Sequence, residues 1–471
     1  MSRRVAVIGL DCAEPSLVFD RWIDDLPHIR SLVERGVWGR LRSVDPPITV
    51  PAWSCMMTSL DPGDLGIYGF RNRTDHSYDR QFVADSRAVP VERLWDHLSR
   101  AGKHVTILGV PGTYPPAPVA GELVSCFLTP DPRADQYTYP AELRDEIERL
   151  VGPYQVDVRN YRRADRDRIL NEIYEMTEQH FAVARHLLDT RPWDFFMMVE
   201  IGVDRIHHAF WSFLDPAHRN YDPEHRYRDV IRNYYQSLDD QIGELLERFD
   251  DDDAIFIVSD HGAEAMQGAI CLNEWLVREG YLALRSVPDG IAPLDLSTVD
   301  WSQTRVWGDG GYYGRIWINV RGREPEGIVD PADYEALRDE IIGRRESLPG
   351  PDGRPIGTHI HRPEDLWAEQ RGVAPDLIAY FGDLAWRSNG SVGHEAYYTF
   401  ENDTGPDDAN HARDGLFIMA GAGLPAGRRD GLRLLDIAPT ILDLFGFPPL
   451  DGMRGRVISS HQLPESEIAL G

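Results

Sequence analysis

Short apolar runs recur along this chain, each followed by a polar or glycine-rich turn and then by a stretch with helical periodicity. Val5–Leu10, Val105–Val110, Phe195–Val199, Ile255–Val258, Leu377–Phe381 and Leu416–Ala420 are apolar at nearly every position. A strand that is apolar on both faces has both faces covered, the usual state of parallel strands between helical layers. Val91–Ala101, Ala141–Leu150, Arg166–Leu188 and Tyr227–Phe249 place apolar residues at helical spacing instead. Strands alternating with helices predict an α/β fold with a mostly parallel central sheet flanked by helices.

The stretch 286–355 breaks this rhythm. GDGGYYGRIWINVRGREPEGIV alternates like exposed strands and is rich in glycine, and a helix is predicted over Pro331–Arg345. We read it as a small α+β cap or insertion in a core made of 1–285 and 356–471. LLDIAPTILDLF predicts a last helix at Leu434–Phe445.

Composition narrows the classes. At 471 residues the chain is long enough for a large core and more than one unit. A formal charge of −28 argues against binding duplex nucleic acid or an anionic membrane surface. A small anionic substrate remains compatible with it, because bound metal ions reverse a local field. No apolar run reaches the ~18 residues of a membrane span. The start, MSRRVAVIGL, imitates a signal peptide, but its apolar stretch is short and no small-residue cleavage site follows. Cytoplasmic location is therefore expected. Four cysteines without a C-x-x-C pair suggest free thiols rather than a zinc knuckle or redox motif.

The candidate chemistry sits where these strands end. In open α/β sheets ligands bind beyond the carboxyl ends of the strands. Asp11 closes the first run, and Asp260 with His261 closes AIFIVS. Asp204 and His208 follow FFMMVE four residues apart, on one face of a helix, where both can reach one ion. His207 at i+3 from Asp204 is the competing ligand. His411 lies in the loop NHARDG before LFIMAG. Imidazoles mixed with carboxylates suit zinc or manganese better than magnesium or calcium. Each residue has a plainer reading, as turn, cap or solvated helix face, and it is the ordered set that carries weight.

GLD near the start, T-x-P before a helix at Thr49–Pro51, D-x-x-x-H, SDHG and the late histidine loop resemble the alkaline phosphatase superfamily. Within it, they resemble the type I phosphodiesterase/nucleotide pyrophosphatase branch. LDPGDLGIYGF and DIAPTIL add to the likeness, which runs from Asp11 to about Phe445. The resemblance implies an alkaline phosphatase-like core and a two-metal phosphohydrolase acting on a small phosphate-containing metabolite or nucleotide. It implies Thr49 as nucleophile through a phospho-threonine intermediate. One ion would be held by Asp204, His208 and His411, the other by Asp11, Asp260 and His261. Thr58 and Ser59 are the fallback nucleophiles.

Two departures touch the substrate. Ala52 and Trp53 stand where the family has Asn-His, and Phe70 stands where an asparagine helps bind a phosphoryl oxygen. Arg71 or Asn72 could replace that asparagine, and Trp53 could stack on a base. Tyr312, Tyr313, Arg315 and His394 are further candidates for substrate contact. Arg42 and Arg71 are the arginines nearest Thr49 in sequence, which favours diesters over monoesters. Phosphomonoester or phosphonate hydrolysis, phosphotransfer and a non-catalytic binding protein are the alternatives. The sulfatase motif C/S-x-P-x-R is absent, T-V-P-A-W standing in its place.

Overall fold

The computed structural model describes residues 3–162, 165–402, 404–421, 423 and 425–459. Its centre is a ten-stranded sheet. Seven of the strands matter here: β1 (Val5–Leu10), β2 (Val37–Arg42), β3 (Val105–Leu108), β4 (Gly121–Val124), β5 (Phe195–Glu200), β6 (Ala254–Val258) and β7 (Asp414–Ala420). Their order across the sheet is β2-β7-β6-β1-β5-β3-β4. β1 lies in the middle and pairs in parallel with both β5 and β6, and β3 and β4 continue the parallel run. β7 is antiparallel to β6 and β2. The mostly parallel sheet is thus as the apolar runs predict.

Helices cover both faces. Ala6, Ile8 and Leu10 of β1 pack in one core with α2 (Arg166–Thr190), α3 (Gly202–Phe210) and α4 (Val230–Leu246). Val5 and Val7 face a second core with α1 (Thr49–Thr58) and α5 (Ile437–Leu444). α1 is buried along its whole length. Apart from Thr49, Ser54 and Thr58 it is apolar, as suits a helix enclosed by its neighbours.

A smaller antiparallel sheet stands apart, with strands Val306–Asp309, Gly314–Ile318, Leu377–Tyr380 and His359–His361 in that order. It has its own core around Trp275, Trp317 and Phe381. The segment 286–355 supplies two of these strands and the helix Tyr334–Glu346; the other two strands follow it in sequence. Leu377–Phe381, read among the core strands, pairs here and not in the large sheet. Gly314–Ile318 is buried except at half-exposed Arg315, because it lies between two strands of this sheet rather than at a surface. The turn between the first two strands, Gly310–Tyr313, reaches the cavity described next.

Candidate metal centre

Each candidate ligand is placed by a strand end or the element beside it. Asp11 follows β1, and Asp260 and His261 follow β6. The chain turns sharply after Asp11, with Cys12 in the left-handed region at φ 67°. That turn aims the Cys12 amide at Asp260 Oδ1, 3.2 Å away, and ties the two strand ends together. β5 ends on Glu200, whose Oε1 accepts the Gly202 amide at 2.7 Å and so anchors the start of α3. Asp204 and His208 lie one turn apart on α3, with His208 Nε2 3.1 Å from Asp204 Oδ1. His411 is carried on Ala409–Ala412, which pairs antiparallel with Gly262–Ala265, opposite Ala263. The His261 and His411 rings therefore stack at 3.8 Å between centroids.

All six candidate ligands converge in the interior. Ligand atoms of Asp11, Asp260 and His261 lie within 4.8 Å of one another, and so do those of Asp204, His261 and His411. His208 Nε2 is 3.3 Å from His411 Nε2, which brings it into the second group. His261 stands between the two groups. His207, by contrast, packs against Trp211 and Tyr235. Burial pushes it down to about 3 and keeps it neutral.

The donor set fits divalent cations. Asp11 Oδ1 and Asp260 Oδ2 are buried and accept no hydrogen bond. Buried carboxylate oxygens are normally satisfied, so a pair of orphans in one cluster marks a cation site. Burial, and after it the charge of Asp204, pushes Asp11 well above the carboxylate range. Burial and then the charge of Asp11 do the same to Asp260. Burial pushes His261 down to about 4 and carries His411 well below the usual imidazole value. Burial alone would lower His208, but Asp407 and Asp204 outweigh it and raise it well above normal. Asp204 is held well below its usual range because His208 and Arg205 together overcome its burial. The cluster is short of positive charge, which bound metal ions would supply.

The histidines are already oriented for this task. His208 Nδ1 faces Asp407 Oδ1 at 2.7 Å, His411 Nδ1 faces the Pro47 carbonyl at 3.0 Å, and His261 Nδ1 faces the Gly262 carbonyl at 3.1 Å. With each Nδ1–H donated outward, each Nε2 lone pair points into the cluster, as metal-binding imidazoles require.

Thr49 opens α1 beside the cluster, its Oγ1 3.4 Å from His261 Nε2. Ile48 caps the helix in an extended conformation without a side-chain cap bond, so the first amides of α1 keep their hydrogen-bonding capacity at this end. Thr58 and Ser59 lie at the other end, where they bond the carbonyls of Ser54 and Leu435. A cavity of about 440 Å³ opens above Thr49, lined by Asp204, His208 and His411 among others. A larger groove of about 980 Å³ runs beside it and shares Phe127 and Asp157 with it, but no ligand residue lines that groove.

The three expected substrate contacts separate here. Arg71 lines the cavity, next to Phe70. Asn72 does not: its amide is spent on its own turn, accepting from the Tyr68 amide and donating to the Gly69 carbonyl. Trp53 is fully buried, and its Nε1 donates to Asp11 Oδ2 at 2.7 Å. It braces Asp11 and offers no open face for a base. His394 lies away from the cavity, its amide bonded to Glu274. Tyr312, Tyr313 and Arg315 do line the cavity, and so do Arg162, Arg205 and Arg387, which nothing near Thr49 in sequence announces. The shortage of arginines inferred from sequence neighbours is therefore corrected.

Residues 5–407 match the type I phosphodiesterase / nucleotide pyrophosphatase family. The chain belongs to that family. It is a metal-dependent phosphoric ester hydrolase. Solved structures of the phosphodiesterase fold align over nearly its whole length. Phosphonoacetate hydrolase from Sinorhizobium meliloti, in complex with phosphonoformate, is 16% identical over 95% of its own chain and 94% of this one, with a TM-score of 0.59. Murine ectonucleotide pyrophosphatase / phosphodiesterase 5 in complex with AMP is 13% identical, covering 95% of this chain and 96% of its own at a TM-score of 0.56. The human counterpart gives 14% and 0.54 over the same shares. At such identities the likeness is one of fold. No curated protein matches the chain.

Besides Arg162, Arg205 and Arg387, sequence reasoning missed Asp407. It lies four positions before His411 in DDANH and is fully buried behind His208. A carboxylate so close to a ligand histidine is the available signal for an outer-shell partner.

Proposed function

We propose that the protein hydrolyses a small phosphodiester or phosphoanhydride, such as a nucleotide derivative, with Thr49 as its nucleophile. The observation that carries the reading is the Thr49 hydroxyl at the free end of α1, 3.4 Å from His261 and beside two unsatisfied carboxylates. Asp11, Asp260 and His261 would hold one ion, and Asp204, His208 and His411 the other. Zinc is the proposed metal and manganese its alternative, since imidazole and carboxylate donors suit both. Two such ions would supply the charge that makes a threonine alkoxide accessible and steadies the departing oxygen.

Thr49 gives up its hydroxyl proton to solvent and its Oγ1 attacks phosphorus; a P–O bond to threonine forms as the bond to the leaving oxygen breaks, and that oxygen takes up a proton. Water then cleaves the phospho-threonine bond, returning the hydroxyl and releasing the phosphorylated product. The first amides of α1 face the phosphoryl oxygens throughout. Thr49→Ala is expected to abolish turnover of bis(p-nitrophenyl) phosphate while two metal ions per chain remain by elemental analysis. Full activity in that variant would sink the assignment.

A second reading keeps the site and changes the substrate to a phosphomonoester or phosphonate. The arginines lining the cavity favour it, since a monoester carries an extra negative charge. Paired assays on mono- and diester nitrophenyl substrates separate the two. The four cysteines are free and buried, which supports the proposal of a reducing, cytoplasmic setting.

A further inference from the structure

A phosphoryl group bound above Thr49 needs donors on the side facing away from α1. No lysine and no side-chain amide is among the described residues lining the cavity. Phe70 stands at its edge and offers no hydrogen bond. Two donors that line the cavity, Tyr312 and Arg162, are linked instead to the candidate ligand His208.

Tyr312 arrives on the tight turn of the small sheet. Its ring lies tilted against His411 at 4.3 Å and stacks on His208 at 5.1 Å. Its hydroxyl is 3.2 Å from His208 Nε2. Arg162 Nη2 donates to that hydroxyl, and Arg162 Nε donates to Asp407 Oδ2 at 2.8 Å. Asp407 also holds His208, through its other oxygen, and lies 3.3 Å from the Tyr312 hydroxyl. One fully buried carboxylate therefore fixes a metal-ligand imidazole, a guanidinium and a phenol relative to one another.

The hydrogen-bond inventory shows what is left to use. The Tyr312 oxygen accepts from Arg162, and its own proton reaches Asp407 at 3.3 Å and His208 Nε2 at 3.2 Å, the latter being the lone pair that a bound ion would take. No hydrogen bond engages Arg162 Nη1 among the described residues, although the residue lines the cavity. A phenol proton and a guanidinium N–H thus meet beside His208, where an anionic oxygen would accept both.

We propose that Tyr312 and Arg162 clamp a non-bridging oxygen of the substrate's phosphoryl group, taking the part of a side-chain amide. This deepens the phosphohydrolase reading and rests on it. A merely structural Tyr312, stacked to close the site, would keep its value without the hydroxyl.

The test is Tyr312→Phe, which keeps the ring, with Arg162→Lys, which keeps the charge but not the fork. Both are measured on metal-loaded protein by turnover, metal content and calorimetric binding of inorganic phosphate. We expect two ions per chain and an unchanged melting temperature. We also expect kcat/KM down roughly 100-fold in Tyr312→Phe, the loss typical of one transition-state donor. Phosphate affinity should fall roughly tenfold, as for a lost charge-assisted hydrogen bond. Wild-type phosphate affinity in Tyr312→Phe overturns the clamp. Loss of metal in step with activity also overturns it, by making Tyr312 a positioning group for His208. Should the wild-type protein hydrolyse no phosphoric ester, the functional reading fails, while phosphate binding still tests the clamp by itself.

Discussion

Trp53 reaches Asp11 because β1 carries glycine two residues before the aspartate. A Cβ on Gly9 would lie 2.5 Å from Trp53 Cη2 and 2.8 Å from Val199 Cγ2. Gly9→Ala must therefore push the indole aside, which breaks the 2.7 Å bond to Asp11 Oδ2. Trp53→Phe removes the same bond without the clash. The expected outcome is a roughly tenfold weaker hold on metal in Trp53→Phe, by chelator competition, since outer-shell partners of ligands are typically worth 10–100-fold. Gly9→Ala should lose metal affinity and melting temperature together. Equal metal affinity in Trp53→Phe would show that the indole only packs. Asp407→Asn is expected to weaken metal binding similarly, because an amide can present its NH₂ to His208 Nδ1 and disfavour the tautomer the site needs. At this scale the sequence exposed the candidate ligands and hid their supports. Asp11, Asp204, His208, Asp260, His261 and His411 have readable positions relative to apolar runs. Trp53 was ambiguous because a lone aromatic near a site reads equally as stacking or packing, and only the indole N–H contact decides. Asp407, Arg162 and Tyr312 meet across some 245 residues of separation, which no local pattern encodes.

The elements that present the ligands depend on a buried pair behind α3. His180 of α2 faces Glu200 Oε2 at 3.0 Å and the Gln155 carbonyl at 2.7 Å, while Thr177 and the Gly202 amide bond Glu200 Oε1. Burial disfavours charged His180, but Glu200 outweighs it and raises the imidazole above its usual 6.5. A raised imidazole lends stability that is fully present below pH ~6.5 and is lost as pH rises through its folded value. The melting temperature should thus contain a component that fades on going from pH 6 to pH 9. His180→Gln should flatten that component, and an unchanged pH profile would show the pair to be neutral in the fold. The strands and helices themselves were legible, since β1, β5 and β6 are apolar on both faces and α2 and α4 keep helical spacing. Which sheet a run joins was not legible. Leu377–Tyr380 is as apolar as β6, and periodicity says nothing about partners.

For the molecule as a whole, metal bound at the proposed site would be linked to folding. Three carboxylates of the cluster are buried together, two of them with unsatisfied oxygens. An ion that binds only the folded state adds about 2.7 kcal/mol of stability per site at a concentration 100 times its Kd. Stripping the protein with chelator should lower its melting temperature, and zinc or manganese should restore it in proportion to occupancy. A melting temperature indifferent to chelator would contradict the metal centre. The fold class could be read from alternating patterns. The cavity could not, because its walls come from Thr49, Arg162, α3, the small sheet and the His411 strand at once.

The central position of β1 also sets a schedule for biosynthesis. β1 is flanked by strands that lie far downstream of it in sequence, β5 and β6, which end at Glu200 and Val258. At ~5–20 residues per second a ribosome delivers the first of these partners only after roughly ten to forty seconds. Until then VAVIGL waits with both edges open, a template for pairing with other nascent chains. Polypeptides that stop short of β6 should accordingly accumulate in the insoluble fraction or on chaperones, and the complete chain should not.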